Sequence, residues 1–342
     1  MTIGVVLAVA DTRAVAGHFR ERYVRRRLDD SAFAATRAAL SSGESLGVFA
    51  LQLHGMEHYW PPALMAAARG DRELQGWFET EGVPRTERLA APLQTRWADC
   101  ATLPSRPIDD REMWAAVEEE VKAFATVFGH GPTVVVPPTF VWTERTEQAW
   151  AANGLEVIVT PGRQYTGRNS RGAVCGKAEL FWNGQHAPSG LSRVVRDAYF
   201  EPAYGHRASD ALGTLEAKTG RGQPALFETH RFNFLPQLSE DVESAFAELK
   251  ALLKTALAGF PQLVFMSTQE LAAALARKDN RLVERSPWRR LTPVISRIQA
   301  RPGVRKWALL SGAAIPGACL VLVAQLGRRR GLRDGLGANA GA

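Results

Sequence analysis

Two histidines stand four residues apart in the run His54-Gly55-Met56-Glu57-His58, which directly follows the apolar stretch 48–53. An i,i+4 histidine pair on one helical turn can direct two imidazole nitrogens at one divalent metal ion. The run comes at the end of a predicted strand, which is where a barrel enzyme collects its catalytic residues. The alternative is a pair of unrelated histidines at the surface or half buried. We interpret the pair as a candidate metal site.

Other polar residues also follow predicted strands. Asp11, Pro138, Glu201 and His230 each lie at or just past the end of a strand, as His54 does. A barrel would bring these positions to one face, although they are far apart in sequence. Taken singly, Asp11 could equally be a helix N-cap, His230 a packed histidine and Glu201 a loop charge. Their common placement makes them candidates for one site.

Short apolar runs alternate with amphipathic stretches through residues 1–280. This alternation predicts an α/β fold, a distorted (β/α) barrel of about seven or eight strands, followed by a C-terminal hydrophobic helix. The region 162–190 is rich in Gly, Ser, Asn and Arg, so we predict a loop that holds substrate. The predicted strands are 3–10, 48–53, 133–136, 155–159, 178–182, 194–200, 224–228 and 262–266. The predicted helices lie within 12–40 and over 109–129, 144–154, 240–257 and 269–277.

The net charge of +7 is unevenly distributed. Residues 281–342 carry 12 Lys and Arg against 2 acids, so residues 1–280 have a net charge of −3. This argues against a nucleic-acid partner for the main domain. Basic residues flank the uncharged run 307–326, which is long enough to cross a bilayer as a helix. A buried helix or a segment lying in the membrane interface are the alternatives.

We therefore predict four segments: a barrel over 1–280, a basic linker over 281–306, a membrane helix over 307–326 and a basic, Gly-rich tail over 327–342. The N-terminal residues lack the pattern of a signal peptide. Three scattered cysteines fit a reducing compartment. The expectation is a membrane-associated protein whose main domain faces the cytoplasm.

The order of these motifs resembles the polysaccharide deacetylase family of metal-dependent carbohydrate esterases. The matching stretches are Ala10-Asp11-Thr12, His54-Gly55-Met56-Glu57-His58, Pro137-Pro138-Thr139-Phe140 and Thr229-His230. The resemblance covers residues 1–280 and implies a divalent metal ion, zinc or alternatively cobalt, iron or nickel, held by Asp11, His54 and His58. It implies removal of an acetyl group from a sugar, polysaccharide or glycolipid, with His230 as general acid.

The resemblance also implies candidate residues beyond the metal ligands. Asp11 or Glu201 could act in catalysis beside His230, and Glu57 is another candidate base. The candidate substrate-binding residues are Pro138, Phe140, Trp142, Arg231 and Asn233. Trp60, Trp142 and Trp182 could stack on sugar rings, although the core is the commoner position for a tryptophan.

The sequence departs from the family pattern at two places. The family has two adjacent acids where this chain has Asp11 alone, and an arginine before Pro138 where this chain has Val136-Pro137. A non-catalytic, membrane-tethered glycan-binding relative of the barrel would show both departures. The spacing His54-x-x-Glu57-His58 also matches an inverted zinc peptidase motif with Glu57 as base, but Pro61-Pro62 would end the helix that this class requires.

Overall fold

The computed structural model describes residues 1–17, 21–79, 84–176, 179–220, 222–235, 241–279, 282, 295, 302–312 and 319. The chain divides into two compact units. The first comprises Met1–Asp197 and Val264–Ala276, and the second comprises Ala198–Leu263 and Arg277–Ala342. The boundary at Ala198 falls inside the range 1–280 that the sequence predicts as one domain.

The first unit contains most of the regular structure. Its strands are β1 Thr2–Val5, β2 Ala8–Ala10, β3 Arg25–Arg27, β4 Ala50–Leu53, β5 Val134–Val135, β6 Val157–Thr160, β7 Gly167–Arg168, β8 Val174–Cys175, β9 Gln185–His186 and β10 Ser192–Val195. Its helices are α1 Thr12–Gly17, α2 Ala34–Ser45, α3 Pro61–Ala68, α4 Arg72–Phe78, α5 Asp110–Phe128, α6 Glu144–Ala152 and α9 Thr268–Ala276.

Six of these strands form one sheet in the order β1-β4-β5-β6-β10-β9. The first five pair in parallel, and β9 adds antiparallel to β10. Both faces of a parallel sheet are covered, so β6 and β10 are buried along their whole length. The predicted α/β class with a parallel sheet is confirmed. In the described residues the sheet ends at β1 and β9 and does not close into a barrel.

The apolar run 3–10, predicted as one strand, forms two. Only β1 joins the large sheet, whereas β2 turns away and pairs antiparallel with β3. Between them, Leu7 N–H and Ala8 N–H donate to the carbonyl oxygens of Gly55 and Met56. The run is apolar throughout although only β2 and the residues just before it are mostly buried, so hydropathy alone could not locate the break.

Helix α5 is as the sequence predicts. The Asp109 carboxylate accepts hydrogen bonds from two N–H groups of the first turn, and Gly129 ends the helix in the left-handed conformation at φ 79°. One face of α5 packs into the main core through Met113, Val117 and Phe124. The predicted helices 144–154 and 269–277 are also confirmed, as α6 and α9.

Two other predictions for this unit come out differently. Residues 262–266 form no strand and lead into α9 through Ser267, whose hydroxyl accepts from Glu270 N–H. The predicted strand 178–182 lies partly outside the described residues, and Leu180 makes only an isolated bridge to Arg163. A short apolar run without a pairing partner carries the same pattern as a real strand.

The second unit is mainly helical in its described part. It contains β11 Ala198–Tyr199 and β12 Phe227–Glu228, which pair in parallel, and the helices α7 Ala208–Gly220, α8 Val242–Gly259 and α10 Pro302–Leu310. Its core includes Phe200, Ala208, Ala211 and Leu252. The predicted helix 240–257 is confirmed as α8.

Only the start of the predicted membrane helix 307–326 is described, together with residue 319. There α10 ends at Leu310, and Gly312 has a φ of 72°. Most of the predicted linker 281–306 and all of the tail 327–342 lie outside the described residues. Within the described part of the chain, no helix combines the length and the hydrophobicity needed to cross a bilayer.

Candidate functional site

His54 follows β4 at the carboxyl end of the parallel sheet. Its backbone N–H donates to the Val5 carbonyl in the neighbouring strand, and its ring Nδ1 lies 2.8 Å from the carbonyl oxygen of Val136. A carbonyl oxygen only accepts, so Nδ1 carries the proton and Nε2 carries the lone pair of the neutral ring. Metal-binding histidines are commonly oriented by this bond from the second ring nitrogen.

His58 lies close to His54. The two ring centroids are 4.8 Å apart, with ring planes at 74°. Two imidazoles on one tetrahedral metal, with metal–nitrogen bonds of about 2.0–2.1 Å, have centroids roughly 5 Å apart. The pair lies in a non-helical segment between β4 and α3, not on a helical turn as the spacing suggested. The two rings make an edge-to-face contact, which brings both imidazoles within reach of one ion.

Two glycines make room for this arrangement. Gly55 has a φ of 93°, and a Cβ at this position would come within 2.9 Å of the Glu57 carbonyl oxygen. Gly4, in the adjacent strand β1, lies against the His54 side chain, where an added Cβ would be 3.3 Å from the His54 Cβ. The local backbone thus requires small residues on both sides of His54.

Asp11, the predicted carboxylate ligand, has other partners. One carboxylate oxygen accepts from Ala14 N–H at 3.0 Å, which caps α1, and the other forms a 2.9 Å ion pair with Arg26. Partial burial raises the pKa of Asp11, but the Ala14 hydrogen bond and the Arg26 guanidinium outweigh it and leave the pKa below 3.8. The helix-cap interpretation of Asp11 is therefore confirmed.

Among the described residues, no group of three or more His, Cys, Asp and Glu side chains is arranged to hold a metal ion. The structure thus brings together His54 and His58 but does not bring Asp11 to them. Two imidazoles are the nitrogen ligands that a metal such as zinc takes, but the third ligand implied by the resemblance, Asp11, is engaged by Arg26 and Ala14.

Glu57 lies in a buried network of charged side chains. One carboxylate oxygen is 2.8 Å from Arg96 and the other 2.8 Å from Arg25, and Glu57 is fully buried. Arg96 in turn contacts Glu120 at 3.3 Å. Both sides of the Glu57 carboxylate are occupied by guanidinium groups, so its predicted role as a general base is not supported by this geometry. The zinc peptidase interpretation loses its base for the same reason.

Glu120 completes this network from α5. Its carboxylate accepts from the Trp150 indole N–H at 3.1 Å and from Met56 N–H at 3.0 Å, inside the segment between the two histidines. Burial raises the pKa of Glu120 to about 7, against the opposing effects of Arg96 and these hydrogen bonds. The network fixes the backbone that carries His54 and His58. The spacing of Met113, Val117, Glu120 and Phe124 puts Glu120 on the buried face of α5, a signal that sequence reasoning overlooked.

The segment after β5 holds Pro138 and Phe140, two of the predicted substrate-binding residues. Thr139 and Phe140 have φ values of 52° and 55°, which are costly for residues with a side chain. Pro138 is buried, and its ring lies 3.4 Å from where a Cβ on Gly55 would be. Pro138 and the strained backbone therefore border the histidine segment. Such strain is often found at ligand sites.

Two of the three tryptophans that could stack on sugar rings lie in the core of the first unit. Trp142 is fully buried and donates its indole N–H to Glu147 at 2.8 Å, so it packs inside the first unit and does not face a sugar. Trp60 is also buried, with its ring 5.8 Å from the Arg96 guanidinium. Trp182 is half-buried. The commoner role of tryptophan, packing, applies to Trp142 and Trp60.

In the second unit, Glu201 and His230 form a tight pair. His230 Nδ1 lies 2.6 Å from one Glu201 carboxylate oxygen, and His230 Nε2 lies 3.4 Å from Glu228. Glu201 is buried, whereas half of the His230 side chain is exposed. The ring of Phe232 stacks on His230 at 5.5 Å. A carboxylate that fixes Nδ1–H orients an exposed imidazole for proton transfer. Glu201 therefore positions His230, a role different from the predicted base.

Asn233 belongs to the same cluster and is fully buried. Its amide donates to Glu201 and Thr229, and its carbonyl oxygen accepts from Ala203 N–H at 2.9 Å. These bonds hold the loop together, so the predicted substrate contact of Asn233 is replaced by a structural one. Arg231 is exposed beside it.

Comparison with known proteins adds no family assignment. No family model matches the chain, and no curated protein matches it.

Proposed function

We propose that the protein is a metal-dependent hydrolase that removes acetyl groups from a carbohydrate or glycolipid, as polysaccharide deacetylases do. The observation that carries the proposal is the His54–His58 pair at the carboxyl end of β4, with ring centroids 4.8 Å apart. The open parallel sheet of the first unit would then be related to the distorted (β/α) barrel of that family.

In this proposal, His54 and His58 hold a divalent metal ion, with zinc the first choice and cobalt, iron or nickel as alternatives. When bound, such an ion lowers the pKa of coordinated water and polarises an acyl carbonyl. The Val136 carbonyl keeps His54 in the tautomer that presents Nε2. Asp11 becomes a third ligand or a base only if its 2.9 Å ion pair with Arg26 opens.

His230 is the proposed proton donor to the leaving amine or alcohol. Glu201 holds its Nδ1–H, and Nε2, the nitrogen that would donate, lies 3.4 Å from Glu228 in a half-exposed ring. A proton donor of this kind typically contributes about 10²–10⁴ in rate. Phe140, Arg231 and Trp182 remain proposed substrate contacts.

The test is acetate release from an acetylated chito-oligosaccharide by the full chain, before and after chelation and after zinc is returned. We expect turnover that chelation abolishes and zinc restores, and none in a His54→Ala/His58→Ala variant. A His130→Ala/His186→Ala variant removes two exposed histidines of the same unit and should keep full activity. Turnover that survives both chelation and the His54/His58 substitution would overturn the proposal.

A second candidate function is a non-catalytic glycan-binding protein. The specific observation in its favour is that Asp11 is engaged by Arg26 and Ala14 and has no adjacent acid. This candidate predicts saturable binding of acetylated oligosaccharide without acetate release. The same assay, combined with a binding titration, separates the two functions.

We also propose that the C-terminal segment 307–326 attaches the protein to a membrane, with the main domain in the cytoplasm. The support is the length of the uncharged run and its basic flanks. The full chain should float with vesicles that contain anionic lipid, and a chain ending at residue 300 should not. Equal partitioning of the two would contradict the anchor.

A further inference from the structure

A cavity of the first unit is lined in part by Arg168, a buried arginine that has no acidic partner among the described residues. The cavity has a volume of about 490 Å³ and is lined by residues that include Ser105, Arg106, Thr166, Arg168, Asn169 and Ser170. Arg168 is only 6% exposed, whereas Arg106 is exposed at the rim. The lining also includes Pro104, Pro107, Gly167 and Cys175, so two arginines and several hydroxyl and amide groups are set among less polar residues.

The three buried arginines of the described residues differ in how their charge is balanced. Arg96 contacts Glu57 and Glu120, and Arg193 lies 3.5 Å from Glu147. Within the described part of the chain, no carboxylate forms an ion pair with Arg168. Burial lowers the pKa of Arg168, and its nearest ionisable neighbours are thiols, Cys100 and Cys175. A buried cation without a counter-ion is costly, so an anion here would be favoured.

Arg168 is also held rigidly, which prepares it to bind. Its Nε donates to Thr95 Oγ1 at 2.8 Å and its Nη1 to the Gly172 carbonyl at 2.8 Å. Its backbone exchanges two hydrogen bonds with Ser105. Two of the five guanidinium N–H donors are used in this way, on residues outside the cavity lining, so a ligand would have to bind the other three. A pre-positioned guanidinium fork matches the oxygens of carboxylate, sulfate or phosphate.

The Arg168 side chain is linked through Thr95 to the strained segment that follows β5. Thr95 Oγ1, which accepts from Arg168, lies 3.0 Å from the hydroxyl of Thr139. Gly167 keeps the cavity wall close, because a Cβ there would come within 2.7 Å of Ser105 Oγ. We propose that this cavity is an oxyanion-binding site in which Arg168 and Arg106 bind a carboxylate, sulfate or phosphate group of a small molecule. The site does not depend on the proposed hydrolase activity.

The experiment is calorimetric titration of the full chain with acetate, sulfate and phosphate, each at constant ionic strength. We expect saturable binding of at least one anion. Arg106→Gln should weaken the affinity for the anion about tenfold, since one charge-assisted contact is lost. Arg111→Gln removes an exposed arginine of α5 outside the cavity and should change the affinity by less than about twofold. Arg168→Gln, if its far-UV spectrum shows a native fold, should abolish binding.

Absence of saturable binding for all three anions would overturn the proposal. Equal weakening by Arg106→Gln and Arg111→Gln would also overturn it, because that result indicates diffuse charge attraction. The exposed position of Arg106 makes its variant informative even if the buried Arg168→Gln variant does not fold.

Discussion

Each unit places an acid near a histidine, but the two acids act differently. Glu57, which lies one residue before His58, is buried between Arg25 and Arg96 and supports the backbone. Glu201 is bonded directly to the ring of His230. In the first unit, the acid stabilises the fold and His54 is oriented by the Val136 carbonyl; in the second, the acid orients the histidine itself. A sequence in which Glu and His are adjacent therefore does not indicate that they work together.

The largest expected effect comes from breaking the Glu57 network. Arg96→Met leaves two buried carboxylates, Glu57 and Glu120, without this partner. We expect the free energy of unfolding to fall by about 3–5 kcal/mol. Arg145→Met, which removes an exposed partner of Asp110, should cost less than about 1 kcal/mol. Denaturant titration measures both. A loss below about 1 kcal/mol in Arg96→Met would mean that the network does not support the fold.

The next largest effect tests whether the His54–His58 pair binds zinc. Zinc at a hundredfold excess over its dissociation constant should stabilise the wild-type chain by about 2.7 kcal/mol. The His54→Ala/His58→Ala variant should unfold at the same denaturant concentration with and without zinc. Equal stabilisation of both proteins would assign zinc to some other part of the chain.

Removal of the Glu201 carboxylate should change the tautomer of His230 and reduce the stability of the loop that Asn233 holds. Glu201→Ala takes the acceptor from the N–H groups of His230 and Asn233, so we expect a loss of about 1–3 kcal/mol. Nitrogen NMR should show that His230 loses its Nδ1–H tautomer while His54, held by a backbone carbonyl, keeps it. The control is Glu243→Ala on the exposed side of α8. An unchanged His230 tautomer would refute the positioning role.

A further effect, the smallest when taken for each pH unit, is the pH dependence of the network. The pKa of Glu120 is raised from 4.5 to about 7, so the folded state binds more protons than the unfolded state between these values. Its contribution to stability is therefore present below about pH 4.5 and is lost as the pH rises to about 7, by on the order of 1 kcal/mol per pH unit. Glu120→Gln should flatten this slope; an identical slope in both proteins would contradict the raised pKa.

Local signals in the sequence predicted much of the regular structure. Asp109 and Gly129 mark the ends of α5, and the apolar runs before His54 and after Leu155 give two central strands. The positions of such elements are determined by residues within them or directly beside them. The break after Val5 and the absence of a strand at 262–266 depend on pairing with distant segments, which a short apolar run does not encode.

The candidate site was predictable only in part. The His54–His58 spacing pointed to a pair that the structure brings together, although in a loop and not on a helix. The partners of Asp11, Glu57 and Glu201 could not be read from spacing, because Arg26, Arg96 and His230 reach them through the tertiary fold. Arg168 lies in a Gly- and Asn-rich region that resembles any surface loop, so its burial was not foreseeable.

The most direct test is the metal content of the purified full chain after incubation with zinc and removal of the excess. We expect about one zinc ion per chain, lost in His54→Ala/His58→Ala and retained in His130→Ala/His186→Ala. A wild-type chain that retains no metal, or equal metal in all three proteins, would contradict the claim that this histidine pair is a metal site.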